Sequence, residues 1–479
     1  MSEFGYLRVA SVSPEVVVGD VAKNTQVICE TIKELKKKGV QVAVFPELCV
    51  TGYTCADLFK QSLLIDKAKE ALFTINDAAK GMAVFVGAPL RSTNGALYNC
   101  GVLLNGEEEI GVFPKRFVPN YDEFYEKRWF TPYMDEEDLF EDFFIWEAVK
   151  VYGNDNKFTG AVLGCEICED AWVPDAPSVR LALNGANVIV NLSAGNEVIG
   201  KAAYRKELVS MASAKNACAY VYANAGMGES TQDLVFSGHS IICEYGAVLA
   251  EKKPFDTKTS YIISDIDIEK LNHERQRAET FSQPDILRDD CLFSEVFVDE
   301  KGDGLLREVD GHPFVPKDLE NRKQRAAEIT NMQAFGLVKR LSHIGAKTAV
   351  IGISGGLDST LAFLVTCKAF DILGLDRKGI IGITMPGFGT TGRTYENAKS
   401  LVNNCGASLV EISIKEAAAD HLKNLGHSLE VHDITYENAQ ARERTQVLFD
   451  YANMKGGILI GTGDLSELAL GWCTYNGDQ

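Results

Sequence analysis

Three reactive side chains stand at the ends of apolar runs. Val42-Ala-Val-Phe-Pro-Glu47 leads a strand-like run into a carboxylate, and Val112-Phe-Pro-Lys115 leads another into an ammonium. Gly164-Cys-Glu-Ile-Cys168-Glu-Asp-Ala-Trp172 leads a third into a thiol. Near pH 7 a thiol with its ordinary pKa of about 8.5 is only a few per cent thiolate, so it needs a base to become a nucleophile. A carboxylate can take that proton and later activate water. A lysine, together with a backbone N–H, can hold the oxyanion of a tetrahedral intermediate. Glu47, Lys115 and a cysteine therefore make a complete acyl-transfer set, provided the fold gathers them. Taken singly they say little, because a Glu after a strand is usually a solvated strand end. Cys165 and Cys168 also form a Cys-x-x-Cys pair, but no second such pair exists and His numbers only seven, which argues against a four-ligand zinc site. Spacing alone does not choose the nucleophile from the two cysteines.

A second constellation is compact: Ala349-Val-Ile-Gly352-Ile353-Ser354-Gly355-Gly356-Leu357-Asp358-Ser359-Thr-Leu-Ala, a strand, a glycine turn and a helix start. Glycine permits a positive φ and close backbone approach. The exposed N–H groups and the positive end of the following helix then favour a phosphate. Ser354 and Ser359 add hydroxyl donors, and Asp358 can hold a Mg²⁺ bridging phosphates. The G-x-x-x-x-G-K-[ST] pattern is absent, so this is not a Walker A loop. The plainer alternative is a structural glycine turn with Asp358 in the first turn of a helix, where Asp is common anyway.

The elements that must position these residues fall into two series. Over 7–268, short apolar runs (7–12, 42–45, 82–88, 98–104, 161–165, 188–192, 220–224, 240–243) alternate with helical patterns (20–38, 61–80, 176–184, 201–216), which argues for a layered α/β sandwich. Between 272 and 318, charge clusters, Pro284, Pro313 and Pro316 and no sustained period read as a long surface connector in which helical pieces are possible. From 319 the alternation is regular. A helix over 319–344 precedes strands at 348–353, 379–384, 408–412 and 458–461, with helices starting at Asp358 and Tyr395, as in a doubly wound parallel sheet. Such sheets bind ligands at the carboxyl ends of their strands. The expected division is therefore 1–271, a connector 272–318, and 319–479.

Composition bounds the reading. The 479 residues are 46% apolar and 24% charged, and 48 basic against 67 acidic residues leave a net charge of −19. That balance disfavours nucleic acid and anionic membrane as partners without forbidding a local phosphate pocket. No apolar run reaches the roughly 18–20 residues of a membrane span. The first residues lack a signal-peptide pattern, and the twelve cysteines lie in apolar stretches rather than a small loop-rich frame. A cytoplasmic protein with reduced thiols is expected.

Longer strings carry a resemblance. Phe45-Pro-Glu-Leu-Cys-Val-Thr-Gly-Tyr53, Phe113-Pro-Lys-Arg-Phe-Val-Pro-Asn-Tyr-Asp-Glu-Phe-Tyr-Glu-Lys-Arg-Trp-Phe130 and Glu166-Ile-Cys-Glu-Asp-Ala-Trp172 are similar, in order, to the three signature segments of the nitrilase (carbon–nitrogen hydrolase) superfamily. That resemblance implies an αββα sandwich, with Glu47 as base, Lys115 as oxyanion stabiliser and Cys168 as nucleophile; Cys165 becomes a neighbouring core residue. The Ser354–Ser359 string resembles the pyrophosphate motif of the ATP pyrophosphatase superfamily. Met385-Pro-Gly-Phe-Gly-Thr-Thr-Gly-Arg-Thr-Tyr-Glu-Asn-Ala398, Tyr436-Glu-Asn-Ala-Gln-Ala-Arg-Glu-Arg-Thr445 and Gly461-Thr-Gly-Asp-Leu-Ser-Glu-Leu-Ala-Leu-Gly-Trp-Cys-Thr-Tyr475 resemble the glutamine-dependent NAD⁺ synthetase family, whose architecture is a nitrilase domain before a synthetase domain.

The family resemblance implies a reaction and a set of contacts. Glutamine would supply ammonia, ATP would adenylate deamido-NAD⁺, and NAD⁺, AMP and pyrophosphate would result. ATP would meet Gly352 to Ser359 and Thr462, and Asp358 and Glu467 would lie by Mg²⁺. Asn438, Arg444, Glu467, Trp472 and Tyr475 would hold deamido-NAD⁺. Tyr53, Tyr121, the stretch Asn191-Leu-Ser-Ala-Gly195 and Lys201 would receive glutamine. Gly195 stands where a serine is expected and Lys201 where an arginine often stands; a glycine offers only its N–H, and lysine replaces a planar fork with a point charge. A homo-oligomer is also implied. The rival readings are another glutamine-dependent adenylating amidotransferase and a binding protein that keeps the motifs without the activity. In the family the synthetase domain continues past the motif holding Glu467, whereas this sequence stops at Gln479. If that is the mature end, glutaminase activity without efficient NAD⁺ synthesis is expected.

Overall fold

A computed structural model describes residues 5–134, 139–282, 291, 293–300, 302–388 and 392–477. Pro284 and the Gly389-Thr-Thr391 part of the 385–398 string lie outside the described residues. The chain divides into two units, Met1–Val309 and Asp310–Gln479.

In the first unit two seven-stranded sheets face each other. One has the order Ser260–Asp267, Tyr6–Ser13, Val42–Val44, Ala83–Arg91, Leu97–Leu104, Gly111–Pro114, Phe144–Ile145. The other runs Ala247–Glu251, Ile241–Glu244, Ala219–Asn224, Val188–Ser193, Phe158–Ile167, Ala148–Gly153, Phe293–Val298. Strand side chains alternate between faces, and both faces of these strands are apolar. Val42 and Val44 enter the layer between the sheets while Ala43 faces outward; Val188 and Val190 do the same while Ile189 faces outward. The outer face of the first sheet is covered by helices Val21–Lys37 and Ser62–Ala79 through residues such as Ile28, Ile32, Leu72 and Ile75. Helices Pro177–Leu183 and Lys201–Lys215 bring Leu181 and Val209 onto the outer face of the second. This is the αββα sandwich that the resemblance implies. Asp20 caps the first helix by accepting from the Lys23 N–H at 3.0 Å.

The surface connector over 272–318 is corrected by the structure, which builds most of it into the first unit. Helix Ile268–Arg277 runs through its start. Strand Phe293–Val298 adds to the edge of the second sheet, parallel to Ala148–Gly153. Arg307 pairs with the buried Glu244 at 2.6 Å, and the Leu306 N–H donates to Asp265 at 2.7 Å. A six-residue strand flanked by charges gives too short an alternation to be read from sequence.

The second unit holds a four-stranded, wholly parallel sheet in the order Ser408–Glu411, Ile380–Thr384, Ala349–Gly352, Ile458–Ile460. Helices Leu319–Ile344, Leu357–Leu373 and Gly392–Asn404 pack on one face through Leu341, Phe363, Phe370 and Val402. Helix Ile434–Met454 packs on the other through Leu448, Tyr451 and Ala452. The sheet is doubly wound. The chain builds outward from Ala349–Gly352 in one direction and returns to its other side with Ile458–Ile460, so the switch point lies where those two strands end. No helix among the described residues is long and apolar enough to cross a membrane.

Candidate active sites

Strand ends bring Glu47, Lys115 and Cys168 together. Glu47 follows Val42–Val44 in a tight turn whose next residue, Leu48, has φ +51°. The turn lies directly on Gly87: a Cβ there would sit 2.1 Å from the Leu48 nitrogen, so only glycine fits beneath it. Lys115 follows Gly111–Pro114, and its N–H donates to the Asn99 carbonyl at 2.8 Å. Cys168 follows the long strand Phe158–Ile167 and opens a short 3₁₀ turn with φ +46°, a sparsely populated conformation for a residue with a Cβ. The turn is fixed by Asp170, whose carboxylate accepts from the Ile167 N–H at 2.9 Å and the Phe117 N–H at 2.8 Å. Burial pushes the Asp170 carboxyl up to about 7 against the pull of those two N–H groups.

The charged atoms form one buried array. Lys115 Nζ lies 2.6 Å from Glu47 Oε1 and 2.9 Å from both carboxylate oxygens of Glu126. The Ala194 N–H, just past strand Val188–Ser193, donates to Glu47 Oε2 at 2.8 Å. Burial alone would drive the Lys115 pKa down, but Glu126 and Glu47 outweigh it and hold the ammonium well above its ordinary value. At Cys168 burial pushes the thiol pKa up; the Glu47 charge adds to that, and the Lys115 charge opposes it. The resting group is thus a neutral thiol beside a carboxylate, which suits proton transfer at the moment of attack. Cys165 lies in the layer between the sheets, in one apolar cluster with Leu163 of its own strand and Leu192 of the neighbouring strand.

Sequence reasoning missed Glu126. It sits inside the 113–130 string among Asp122, Glu123, Lys127 and Arg128, and no feature of the string marks which carboxylate turns inward. The structure buries Glu126, with Tyr53 Oη donating to its Oε1 at 2.7 Å. Burial raises the Glu126 pKa, and Lys115 opposes that rise.

The residues read as a glutamine pocket surround this array unevenly. Tyr53 is buried and spends its hydroxyl on Glu126. Tyr121 lies on the exposed hairpin Asn120–Tyr121/Phe124–Tyr125 and donates to Glu169, the neighbour of Cys168, at 2.8 Å. Gly195 is held through its N–H to Asn224 Oδ1 at 2.8 Å. A Cβ on it would meet Tyr222 Oη at 3.3 Å and Arg205 Nη2 at 3.7 Å. The Lys201 ammonium stands over the rings of Phe124 (5.6 Å) and Trp172 (5.3 Å) and donates to Asn196 Oδ1. Burial lowers its pKa.

In the second unit a cleft of about 880 Å³ opens at the switch point of the parallel sheet. Gly352, Ile353, Ser354, Asp358, Ser359, Thr462, Arg444 and Glu467 line it. The turn between them is built on Gly355, which has φ +83° and whose added Cβ would lie 2.1 Å from the Thr394 carbonyl oxygen. Ser354 Oγ accepts from the Gly356 N–H at 3.2 Å and lies 3.1 Å from Ser359 Oγ. Leu357 points outward, 86% exposed. Glu467 closes a capping box with Asp464 at the start of helix Leu465–Leu470.

Asn438, Trp472 and Tyr475 are not among the cleft's lining residues. Asn438 accepts from Thr474 Oγ1 at 2.8 Å, and the Tyr475 and Gly477 carbonyls accept from Arg442 and Thr445, so this segment lies along helix Ile434–Met454 with the Trp472 and Tyr475 rings exposed. The flat rings that do line the cleft include Phe388, His432 and Tyr436, with Tyr436 stacked against His432 at 4.5 Å and Phe388 at 5.5 Å between centroids. Among the described residues no group of three His, Cys, Asp or Glu side chains could hold a metal ion by itself.

Two family models match this chain, carbon–nitrogen hydrolase over residues 8–276 and NAD synthase over residues 329–479. Together with the sandwich and the doubly wound sheet they define a two-domain class, an amide-hydrolysing module ahead of an NAD-forming one. The chain is 41% identical, over an alignment 497 positions long, to the glutamine-dependent NAD(+) synthetase of Mycobacterium tuberculosis, taking in 100% of this chain and 72% of that protein. It is 29% identical over 467 residues to the enzyme of the same name from Aquifex aeolicus, covering 96% and 76%. A solved glutamine-dependent NAD⁺ synthetase from Acinetobacter baumannii, in complex with ADP, aligns with 99% of this chain and 77% of its own at 22% identity and a TM-score of 0.49. The chain belongs to the glutamine-dependent NAD⁺ synthetase family.

Proposed function

We propose that the chain releases ammonia from glutamine in its first unit and uses it, with ATP, to convert deamido-NAD⁺ to NAD⁺ in its second. The observation that carries this reading is the buried Glu47–Lys115–Glu126 array beside Cys168, in a member of a family that couples such a site to an NAD synthase domain.

Glu47 takes the Cys168 proton as the sulfur attacks the glutamine amide carbon. Lys115 faces the oxyanion that forms. Glu47 returns the proton to the departing nitrogen, ammonia leaves, and a thioester remains. Glu47 then deprotonates a water, which attacks the thioester; glutamate leaves and the thiol is restored. Tyr121, Gly195 and Lys201 flank the array from the outside and are the candidates for holding the amino-acid end of glutamine, with Tyr53 beneath them.

In the second unit the N–H groups of the 354–359 turn and the hydroxyls of Ser354 and Ser359 receive the phosphates of ATP, with Thr462 across the cleft. The nicotinate carboxylate attacks the α-phosphorus, pyrophosphate leaves, and ammonia displaces AMP from the acyl adenylate. Arg444 suits a phosphate of the dinucleotide. For ring stacking Tyr436 joins Trp472 and Tyr475 as a candidate because its ring lines the cleft, and Asn438 would support the 472–477 segment. Mg²⁺ takes one or two carboxylates and fills its remaining positions with water and substrate phosphates. Asp358 and Glu467, both on the cleft wall, fit that donor set. When bound, the ion neutralises charge on the phosphates.

The −19 charge supports small-molecule partners rather than nucleic acid or membrane, and cysteines set in apolar stretches support a reducing, cytoplasmic site of action. Family membership supports a homo-oligomer, which sedimentation tests. The decisive assay follows glutamate, pyrophosphate and NAD⁺ together, with glutamine or ammonium as donor. Glutamate formed without NAD⁺ from either donor would leave a glutaminase alone; pyrophosphate released only with a different acid would point to another amidotransferase.

A further inference from the structure

Two carboxyl groups and one ammonium share the closed site of the first unit, so the ammonium alone must serve both. Asn99, on strand Leu97–Leu104, is 1% exposed and touches all three partners. Its Nδ2 donates to Glu47 Oε1 at 2.7 Å and reaches Glu126 Oε2 at 3.4 Å. Its carbonyl accepts from the Lys115 N–H at 2.8 Å. Its Oδ1 is buried with no hydrogen-bond partner among the described residues.

That orphan acceptor is informative. Turning the amide over would aim Oδ1 at two carboxylates, so the donor side is fixed toward them and the acceptor side is sacrificed. A buried unpaired acceptor is a cost to folding, which a residue present only to fill space would not impose; leucine has nearly the same size. The amide adds a neutral N–H donor to the carboxylate oxygens beside those of Lys115 and Ala194; the three ammonium contacts of Lys115 are already taken up by Glu47 and Glu126. Hydrogen bonds donated to a carboxylate favour its ionised form. Only the ionised form can accept the thiol proton.

We propose that Asn99 is a positioning residue for glutamine hydrolysis, its side-chain NH₂ bridging Glu47 and Glu126 so that Glu47 is held aimed as the base toward Cys168. This rests on the glutaminase reading of the site. It acts through Glu47, with no contact to substrate required.

Two variants test it in the full chain. Asn99→Leu removes the donor. Its glutaminase kcat should fall about 10–100-fold, the scale of a misplaced catalytic group, with KM for glutamine changed by less than about threefold. The acid limb of its pH profile should move to higher pH, because an unsupported carboxylate holds its proton longer. Asn99→Asp keeps the shape and reverses the dependence: ionised, it adds a third negative charge and no donor, but its protonated form can donate an O–H. Its activity should therefore be lowest at about pH 8 and recover toward about pH 5.5. Ammonium-driven NAD⁺ formation should stay unchanged in both. Rates are taken per folded molecule, counted from the amplitude of cooperative thermal unfolding; should the leucine variant not fold, the opposite pH trend of the near-isosteric aspartate variant decides alone. Wild-type pH profiles and kcat in the folded variants would overturn the proposal while leaving the glutaminase reading in place. A wild-type chain that hydrolyses no glutamine would overturn that reading first.

Discussion

In the first unit Glu47, Lys115 and Glu126 are each at most 2% exposed and share contacts of 2.6–2.9 Å; in the second, Ser354 and Asp358 stand exposed along an open cleft. The difference follows from where the reacting charge originates. Glutamine arrives with a neutral amide, so the protein must carry base, oxyanion partner and nucleophile itself, prealigned and away from water. A triphosphate and a carboxylate bring their own charge. A cleft for them needs N–H groups, hydroxyls and one or two carboxylates for a cation, all of which can wait in solvent until the substrate assembles them.

The largest effects should separate the two sites cleanly. Cys168→Ala should remove glutamine hydrolysis and glutamine-driven NAD⁺ formation by about 10⁴-fold or more, the order lost when a triad-type nucleophile is deleted. Ammonium-driven synthesis should persist. Cys165→Ala serves as control, with glutaminase retained at a packing cost of order 1 kcal/mol. Loss of hydrolysis in Cys165→Ala but not in Cys168→Ala would reverse the assignment. Asp358→Ala should lower pyrophosphate release with either nitrogen donor by about 10²–10³-fold, the range for loss of one electrostatic stabiliser, while basal glutamate formation continues. Normal pyrophosphate release in that variant would break the contrast between the sites.

A smaller effect probes how the nucleophile's turn is held. Asp170→Asn leaves one of two inward N–H groups without an acceptor and should cost about 1–3 kcal/mol, read as a lower Tm. The carboxyl is pushed up to about 7 in the fold from an ordinary 3.8. The native state therefore holds its proton where the unfolded chain has lost it. That contribution is complete below about pH 4 and fades as pH rises through 7. The Tm gap between wild type and Asp170→Asn should therefore narrow from pH 5 to pH 8; a gap that widens would reverse the sign. The smallest effect should come from Gly195→Ser. The new Cβ would lie 3.3 Å from Tyr222 Oη, so only a small shift is needed. KM for glutamine should change by less than about fivefold with kcat held, the scale of one neutral hydrogen bond.

Much of the first site was legible because its residues end apolar strands, where sequence pattern and chemistry coincide. Glu47 and Lys115 could be read in that way as candidates, whereas the choice of Cys168 over Cys165 rests on the family resemblance and not on the pattern. Glu126 could not, because it opens a 3₁₀ turn in a string with several charged residues, and its inward direction shows only once the fold sets Lys115 and Tyr53 against it. Asn99 was hidden for the opposite reason: inside a strand of buried residues, a single amide reads as a polar exception, and its meaning appears only with its partners. The 354–359 turn was legible from its glycines and serines. That the Tyr436 ring lines the cleft while those of Trp472 and Tyr475 do not was not legible, because an aromatic string says nothing about which face of helix Ile434–Met454 it will lie along.

The pairing of strand Tyr6–Ser13 with Ser260–Asp267 sets the order of events during synthesis. The first strand is made early, yet one of its two sheet neighbours emerges roughly 250 residues later, and the Arg8–Asp265 pair (2.7 Å) cannot form before then. At about 5–20 residues per second on a ribosome, that is a wait of tens of seconds with an apolar edge open. In the other sheet, strand Ala148–Gly153 likewise waits for Phe293–Val298. An unpaired apolar edge of this kind is a template for mispairing, and the two sheets of the first unit do not both have their full set of strands until translation has passed residue 298.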